Sequence, residues 1–229
     1  MTATSVAVYL EAGAKRSFAA ALDWPGWGRQ GPNETDALTA LLAYGPKYAS
    51  ILAGTGLGFV APNDIARLVV VERLPGTAST DFGVLSVAPT VDRERSCDAA
   101  TLRRFEKILD AAWQAFDKAV KSAHGKTLTT GPRGGGRSLE AIVKHVIEAD
   151  AGYLGAVGWK APKTGEPRER LSASREAILA ALKASATGAI PSKGPRGGHR
   201  WTARYFVRRV AWHIVAHAWE IERRVVATA

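Results

Sequence analysis

Apolar and polar positions follow two different periods along the chain. Before about residue 90 the apolar residues alternate or run in short blocks between Gly and Pro clusters; beyond it they recur at helical spacing. VAVYLEA (6–12) alternates and is rich in β-formers, and a turn at Gly13 leads into RSFAAALD (16–23), which predicts a hairpin. DWPGWGRQG (23–31) is dense in Gly, Pro and Trp and predicts an irregular crossing. Asn33 predicts an N-cap for a helix reading NETDALTALLAYGPKYASIL, with Glu34 and Asp36 in the first turn, where the helix dipole favours them. Pro46 lies inside that helix and should kink or divide it, because it lacks a donor N–H. IARLVVVERL (65–74) predicts a strand and DFGVLSVAP (81–89) a further β-prone stretch. The expectation for residues 1–90 is therefore an α+β domain, a small antiparallel sheet with a helix.

The second half reads as four helices. The first runs from 99 to about 123, capped by Ser96 or Asp98, with Phe105, Ile108, Trp113 and Phe116 on one stripe. Ser138 caps the second, SLEAIVKHVIEADAGYLGAV; the third covers about 172–186 and the fourth 202–226. Four amphipathic helices of this length predict an all-α four-helix bundle over residues 91–229.

The fourth helix carries His213 and His217, four apart and so one turn above each other. With His213 at 0° and about 100° per residue, His217 falls near 40°, beside Phe206, Val210, Ile214 and Ile221. Arg204, Arg208 and Glu222 fall near 180°. His217 should therefore point with the buried stripe and His213 stand at its edge. Two imidazoles facing a bundle interior suit a metal ion, but core histidines that only hydrogen-bond a neighbour are common, and the pair needs a third ligand. The second helix offers one in His145, at the edge of its apolar face among the small residues Ala141, Ala149 and Gly152. Three neutral imidazoles with an open position suit divalent zinc, nickel, iron or manganese in a catalytic rather than a closed structural site.

Glu220 lies on the same stripe, as a fourth ligand, an acceptor for a ligand N–H or a proton acceptor. Arg209, one turn before His213, could meet an anionic substrate or pair near Glu220. An ordinary, partly exposed charge pair is the plain alternative for both. Two near-identical loops, GPRGGGR (131–137) and GPRGGHR (194–200), precede the histidine-bearing helices and suit either an anion or a solvated connection. His124 and His199 sit in loop regions and are expected to face solvent. Trp212 and Trp219 form a second apolar flank, to be covered by the N-terminal domain, a second copy or a neighbouring helix.

Composition adds bounds. Of 229 residues, 46% are hydrophobic and 23% charged, which is ordinary globular material. No apolar run approaches the ~20 residues that span a bilayer, and the first residues lack a signal-peptide layout, so no membrane partner is expected. Cys97 is the single cysteine, which excludes an intramolecular disulfide and makes a reducing, cytoplasmic setting the expectation. The charge is uneven: of 31 basic and 21 acidic residues, 6 and 7 precede residue 91, leaving 25 against 14 beyond it. Such a balance attracts nucleic acid or any small anion; no zinc-finger, RNP or basic-zipper pattern accompanies it.

The combination GRSLEAIVKHVIEADAGYL and RRVAWHIVAHAWEIERR resembles the second- and fourth-helix signatures of the DinB/YfiT-like superfamily, over residues 98–226. That resemblance implies an up-down-down-up four-helix bundle with a long crossover after the second helix, in the connection 155–171. It implies a divalent metal on His145, His213 and His217, frequent homodimers, and for some members a transferase or isomerase reaction of a small-molecule substrate with a low-molecular-weight thiol. Other members have no assigned reaction. The hairpin, WPGW and GPNETDAL helix of the first half resemble the HicB-like fold, in motifs over about 5–55 of a module spanning about 5–90. That implies a docking module, and with it an alternative: a basic binding or regulatory protein with an RNA or protein partner and a structural or vestigial metal site.

Overall fold

A computed structural model describes residues 5–130 and 136–226. The backbone divides into two units, one ending at Ser96 and the other beginning at Cys97.

In the first unit β1 (Val6–Ala12) and β2 (Ser17–Ala21) form the expected hairpin, with Val8 opposite Ala21 and Ala12 opposite Ser17. Two corrections concern the sheet. Residues 28–31, expected to be irregular, form a third strand, β3 (Gly28–Gly31), antiparallel to β2. Gly-Arg-Gln-Gly has little strand preference of its own, and the fully buried β2 supplies the pairing that overrides it. β4 (Leu68–Pro75) then pairs with β1 in parallel, so the sheet is mixed, in the order β3-β2-β1-β4, rather than antiparallel throughout. The long helical excursion between β3 and β4 lets the chain re-enter in the same direction as β1. Residues 65–67, expected in that strand, form a 3-10 turn capped by Asp64.

Asn33 caps α1 (Glu34–Ala43), its Oδ1 accepting from Asp36 N at 2.9 Å. Pro46 divides the helical stretch: α2 (Gly45–Leu52) starts afresh with the proline in its first turn, where a missing N–H leaves no bond unmade. Trp27 is buried beneath these helices, donating from Nε1 to Leu41 O at 2.9 Å and stacking on Tyr48 with 6.1 Å between ring centroids.

The expected β stretch at 81–89 is no strand. After α3 (Ala78–Asp81) the amides of Ser86 and Val87 donate to the carboxylate of Glu11, at 3.0 and 2.9 Å, instead of to a neighbouring strand. Glu11 is wholly buried and also accepts from the hydroxyls of Ser86 and Thr80. A side chain on β1 thus satisfies donors that would otherwise need a ladder. A short helix, α4 (Thr90–Glu94), follows.

Among the described residues the second unit contains four helices. α5 (Ala99–Ala123) is capped by Asp98, whose carboxylate accepts from Thr101 N at 2.7 Å. α6 (Leu139–Val157) is capped by Ser138 and stopped by Gly158 at φ 91°, a left-handed position that a side chain would strain. α7 (Pro167–Ala186) starts five residues before its expected 172, because Glu166, Pro167 and Glu169 build a capping box with proline in the first turn. α8 (Ala203–Arg224) is capped by Thr202.

α8 packs against α5, α6 and α7. A single apolar stripe underestimates its burial: Arg208 and Arg209 are buried together with the apolar residues, as a helix with neighbours on several sides requires. α5 and α8 run in the same direction, since Arg204 reaches Thr101 near their starts and Leu128 pairs with Val225 past their ends. α6 runs opposite to α8: Trp201 lies over Tyr153 at one end, and Arg224 bonds Arg137 O at the other. The expected connection 155–171 shrinks to the residues between Gly158 and Glu166, because the flanking helices extend into it. Among the described residues no helix is long and apolar enough to cross a membrane. Trp212 and Trp219 are both buried.

Candidate metal centre

The antiparallel run of α6 and α8 sets His145 level with His213 and His217. The ring nitrogens converge: Nε2 of His213 lies 3.2 Å from Nε2 of His145 and 3.1 Å from Nε2 of His217. One nitrogen from each ring lies within 4.8 Å of the others. The rings meet edge to face, with centroids 4.5 to 5.1 Å apart. His213 is buried, while His145 and His217 keep partial exposure. This reverses the expected depths, because the burial of α8 on several sides encloses His213 more fully than the apolar stripe suggests.

Proton bookkeeping fits a cation at this point better than hydrogen bonds do. Glu220 Oε2 lies 2.8 Å from His217 Nδ1, and a carboxylate can only accept, so Nδ1 carries a proton and, in the neutral ring, His217 Nε2 presents a lone pair. His213 Nε2 then stands between two other ring nitrogens, and with one proton or one lone pair it cannot serve both as donor and as acceptor. Metal–imidazole bonds of about 2.0–2.1 Å at tetrahedral angles place adjacent nitrogens about 3.3 Å apart, close to the separations found.

The electrostatics favour neutral rings. Burial, followed by the positive charge of Arg137 and the neighbouring His217, lowers the pKa of His145. Burial first, then the two partner histidines, Arg209 and Arg137, holds His213 well below the ordinary histidine value. Neutral imidazole is the form that binds a metal. Nδ1 of His213 is buried without a hydrogen-bond partner among the described residues.

The residues around the triad are distributed as follows. Glu220 sits behind His217 rather than among the three converging nitrogens; the His217 hydrogen bond first, with Arg224 adding to it, lowers its carboxyl to about 2. Arg209 donates to Tyr153 Oη at 3.3 Å and has the rings of Tyr153, Trp201 and Trp212 within 5.3 to 5.7 Å of its guanidinium carbon. Glu220 is engaged instead by Arg224, whose Nη1 lies 2.6 Å from Oε1. His124 and His199 are exposed, as expected. Gly152 is exposed and a side chain there would meet open space, so it does not serve to admit a neighbour. Of the first glycine loop only Gly136 and Arg137 fall within the described residues; the second forms a small turn in which Lys193 pairs with His199.

No family model, curated protein or solved structure matches the chain.

Two residues of this unit, one beside the centre and one elsewhere on α6, are not evident from the sequence pattern. Arg224 is one: it follows Glu220 by four and His217 by seven, so the spacing H-x2-E-x3-R on one helical face is the signal that could flag it. Its Nε donates to Thr129 O at 2.9 Å and its Nη2 to Arg137 O at 2.8 Å, so it ties the segments before α6 to the end of α8. Asp150 is the other, a carboxyl on the buried face of α6. Burial, opposed by the charge of Arg175, raises its pKa to about 7. Nothing in the local pattern distinguishes such an Asp from a solvated one.

Proposed function

We propose that the chain is a DinB-like metalloprotein in which α5 to α8 act as an up-down-down-up four-helix bundle around one divalent ion. The observation that carries this reading is the convergence of three imidazole nitrogens from two antiparallel helices, in a protonation pattern that hydrogen bonds alone do not satisfy. The directions of α5, α6 and α8 agree with such a bundle. His145, His213 and His217 would hold the ion, and zinc, nickel, iron and manganese all accept three imidazoles. Bound there, the ion would supply Lewis acidity and lower the pKa of a thiol or water at its open position.

The chain's own residues prepare that position. Glu220 fixes the His217 tautomer, so that Nε2 presents its lone pair. Arg224 fixes Glu220. Arg209 holds Tyr153 beside His213, with 5.6 Å between the Tyr153 and His213 ring centroids. The reaction that suits such a site is a thiol-dependent transfer or isomerisation of a small molecule, with the HicB-like first unit as a docking module.

Metal analysis of protein purified without chelator tests the reading. Near-stoichiometric divalent metal is expected in the wild type, and strong depletion in His145→Ala and His217→Ala. Undiminished metal in both variants removes these residues from the site.

A further inference from the structure

α6 carries His145, Ala149 and Tyr153 at four-residue spacing, so the three share one helical face, and each of them is half-buried. Helical side chains lean toward the helix N-terminus, which turns Tyr153 back toward the histidines. Its ring stands perpendicular to that of His213, with 5.6 Å between the centroids. Only the Ala149 methyl occupies the row between His145 and Tyr153, and Gly152 beside it looks onto open space. This edge of the centre is within reach of a ligand.

The Tyr153 ring is held by its neighbours. Besides His213 it meets Trp201, at 5.6 Å between centroids and an interplanar angle of 33°, and the Arg209 guanidinium carbon lies 5.3 Å from its centroid. The role of the hydroxyl toward Arg209 is forced. A guanidinium can only donate, so Tyr153 Oη accepts the bond from Arg209 Nη2 at 3.3 Å. That bond does not use the phenol proton, and among the described residues Tyr153 has no other hydrogen-bond partner. A donor already fixed in place needs little reorganisation to meet an oxygen on which charge develops.

We infer that Tyr153 is a specificity-determining residue whose hydroxyl donates to an oxygen of the substrate, selecting carbonyl- or carboxyl-bearing molecules whose oxygen lies a few atoms from the one held at the three-histidine centre. This rests on the metalloprotein reading above. Arg209 acts through Tyr153 as a positioning residue: by occupying a lone pair of Oη it leaves the O–H to turn toward the ligand.

The test uses the full chain loaded with Co(II), whose absorption reports thiol coordination, and two probes of the same shape. 2-Mercaptoacetamide carries a carbonyl oxygen and 2-methylpropane-1-thiol does not; the thiol is only the handle that places both on the ion. In Tyr153→Phe the Arg209 guanidinium keeps Tyr205 as a hydrogen-bond partner, so the variant is expected to fold and to load Co(II) as wild type does. 2-Mercaptoacetamide is expected to bind Tyr153→Phe about fivefold more weakly than wild type, the loss of one hydrogen bond, while 2-methylpropane-1-thiol binds both proteins within about twofold. Comparing each probe across the two proteins cancels the difference in thiol acidity. Site-specific 3-fluorotyrosine in place of Tyr153, a stronger donor of nearly the same shape, should tighten 2-mercaptoacetamide alone. If Co(II) binds stoichiometrically but both probes lose affinity equally in Tyr153→Phe, or neither does, or the fluorinated protein shows no selective tightening, the role of Tyr153 falls and the metal reading stands. If wild type takes up no Co(II), both fall together.

Discussion

Glu220 Oε2 and His217 Nδ1 are 2.8 Å apart, and that contact decides which nitrogen of His217 faces the other two rings. A carboxylate on Nδ1 makes the ring a better electron donor and removes its freedom to rotate. Glu220→Gln keeps the shape and removes the charge, and its amide can turn its nitrogen toward Nδ1, which favours the other tautomer. Metal affinity, read by competition with a chromophoric chelator, is expected to fall by roughly 10–100-fold, with the helical circular dichroism unchanged. Wild-type affinity in this variant would show that Glu220 does not orient a ligand.

Arg224 acts one step further out. Its guanidinium is buried and serves Glu220 Oε1, Thr129 O and Arg137 O together. Arg224→Met leaves those acceptors short of a donor and the partly buried carboxylate without its cation. The expected cost is about 3–5 kcal/mol of stability in denaturant titration, the range for breaking a buried pair from one side. The metal-affinity losses of Arg224→Met and Glu220→Gln should be less than additive in the double variant, because both act through the same His217 ring. Strictly additive losses would separate the two residues.

In the first unit the wholly buried Glu11 carboxylate collects donors from Ser86, Val87 and Thr80. Glu11→Ala leaves the amides of Ser86 and Val87 without their acceptor in a partly buried place, while the Ser86 and Thr80 hydroxyls keep each other and Thr77 as partners; each lost acceptor costs about 1–3 kcal/mol, partly recovered by water. Limited proteolysis should then cut first within residues 82–89, while the β1–β2 hairpin stays protected from hydrogen exchange. Unchanged protection of residues 82–89 would show that other contacts hold the segment.

These long-range clamps mark where the sequence is legible and where it is not. Local chemistry is legible: Asn33, Asp98 and Ser138 each cap the helix that follows, and Pro46 divides its helix. The triad is legible because His213 and His217 share a helical face and His145 stands near the middle of another helix. β3 is hidden because its pairing comes from β2 and not from its own residues, and the parallel entry of β4 is a property of the path between strands. The 81–89 stretch departs from its β pattern for a related reason: an acid 75 residues away takes the donors that a strand would use.

Asp150 gives a pH dependence whose sign can be worked out. Burial on α6 lifts its carboxyl to about 7, with Arg175 pulling the other way while itself holding Asp117 at 2.6 and 2.8 Å. An unfolded aspartate titrates near 3.9. Between about pH 4 and pH 7 the unfolded chain has released this proton and the folded chain still holds it, so the contribution of Asp150 to stability declines as pH rises through that window and is level above it. Asp150→Asn keeps the neutral shape at every pH. Its stability relative to wild type should therefore be near zero at about pH 4 and increase to a ceiling of about 4 kcal/mol by about pH 8, since each pH unit separating the folded from the unfolded titration is worth about 1.4 kcal/mol. Denaturant midpoints of the two proteins across that range measure the difference directly. A gap that does not widen with pH would mean that the acid ionises at its ordinary value, through closer pairing with Arg175 or access to water at the buried face of α6.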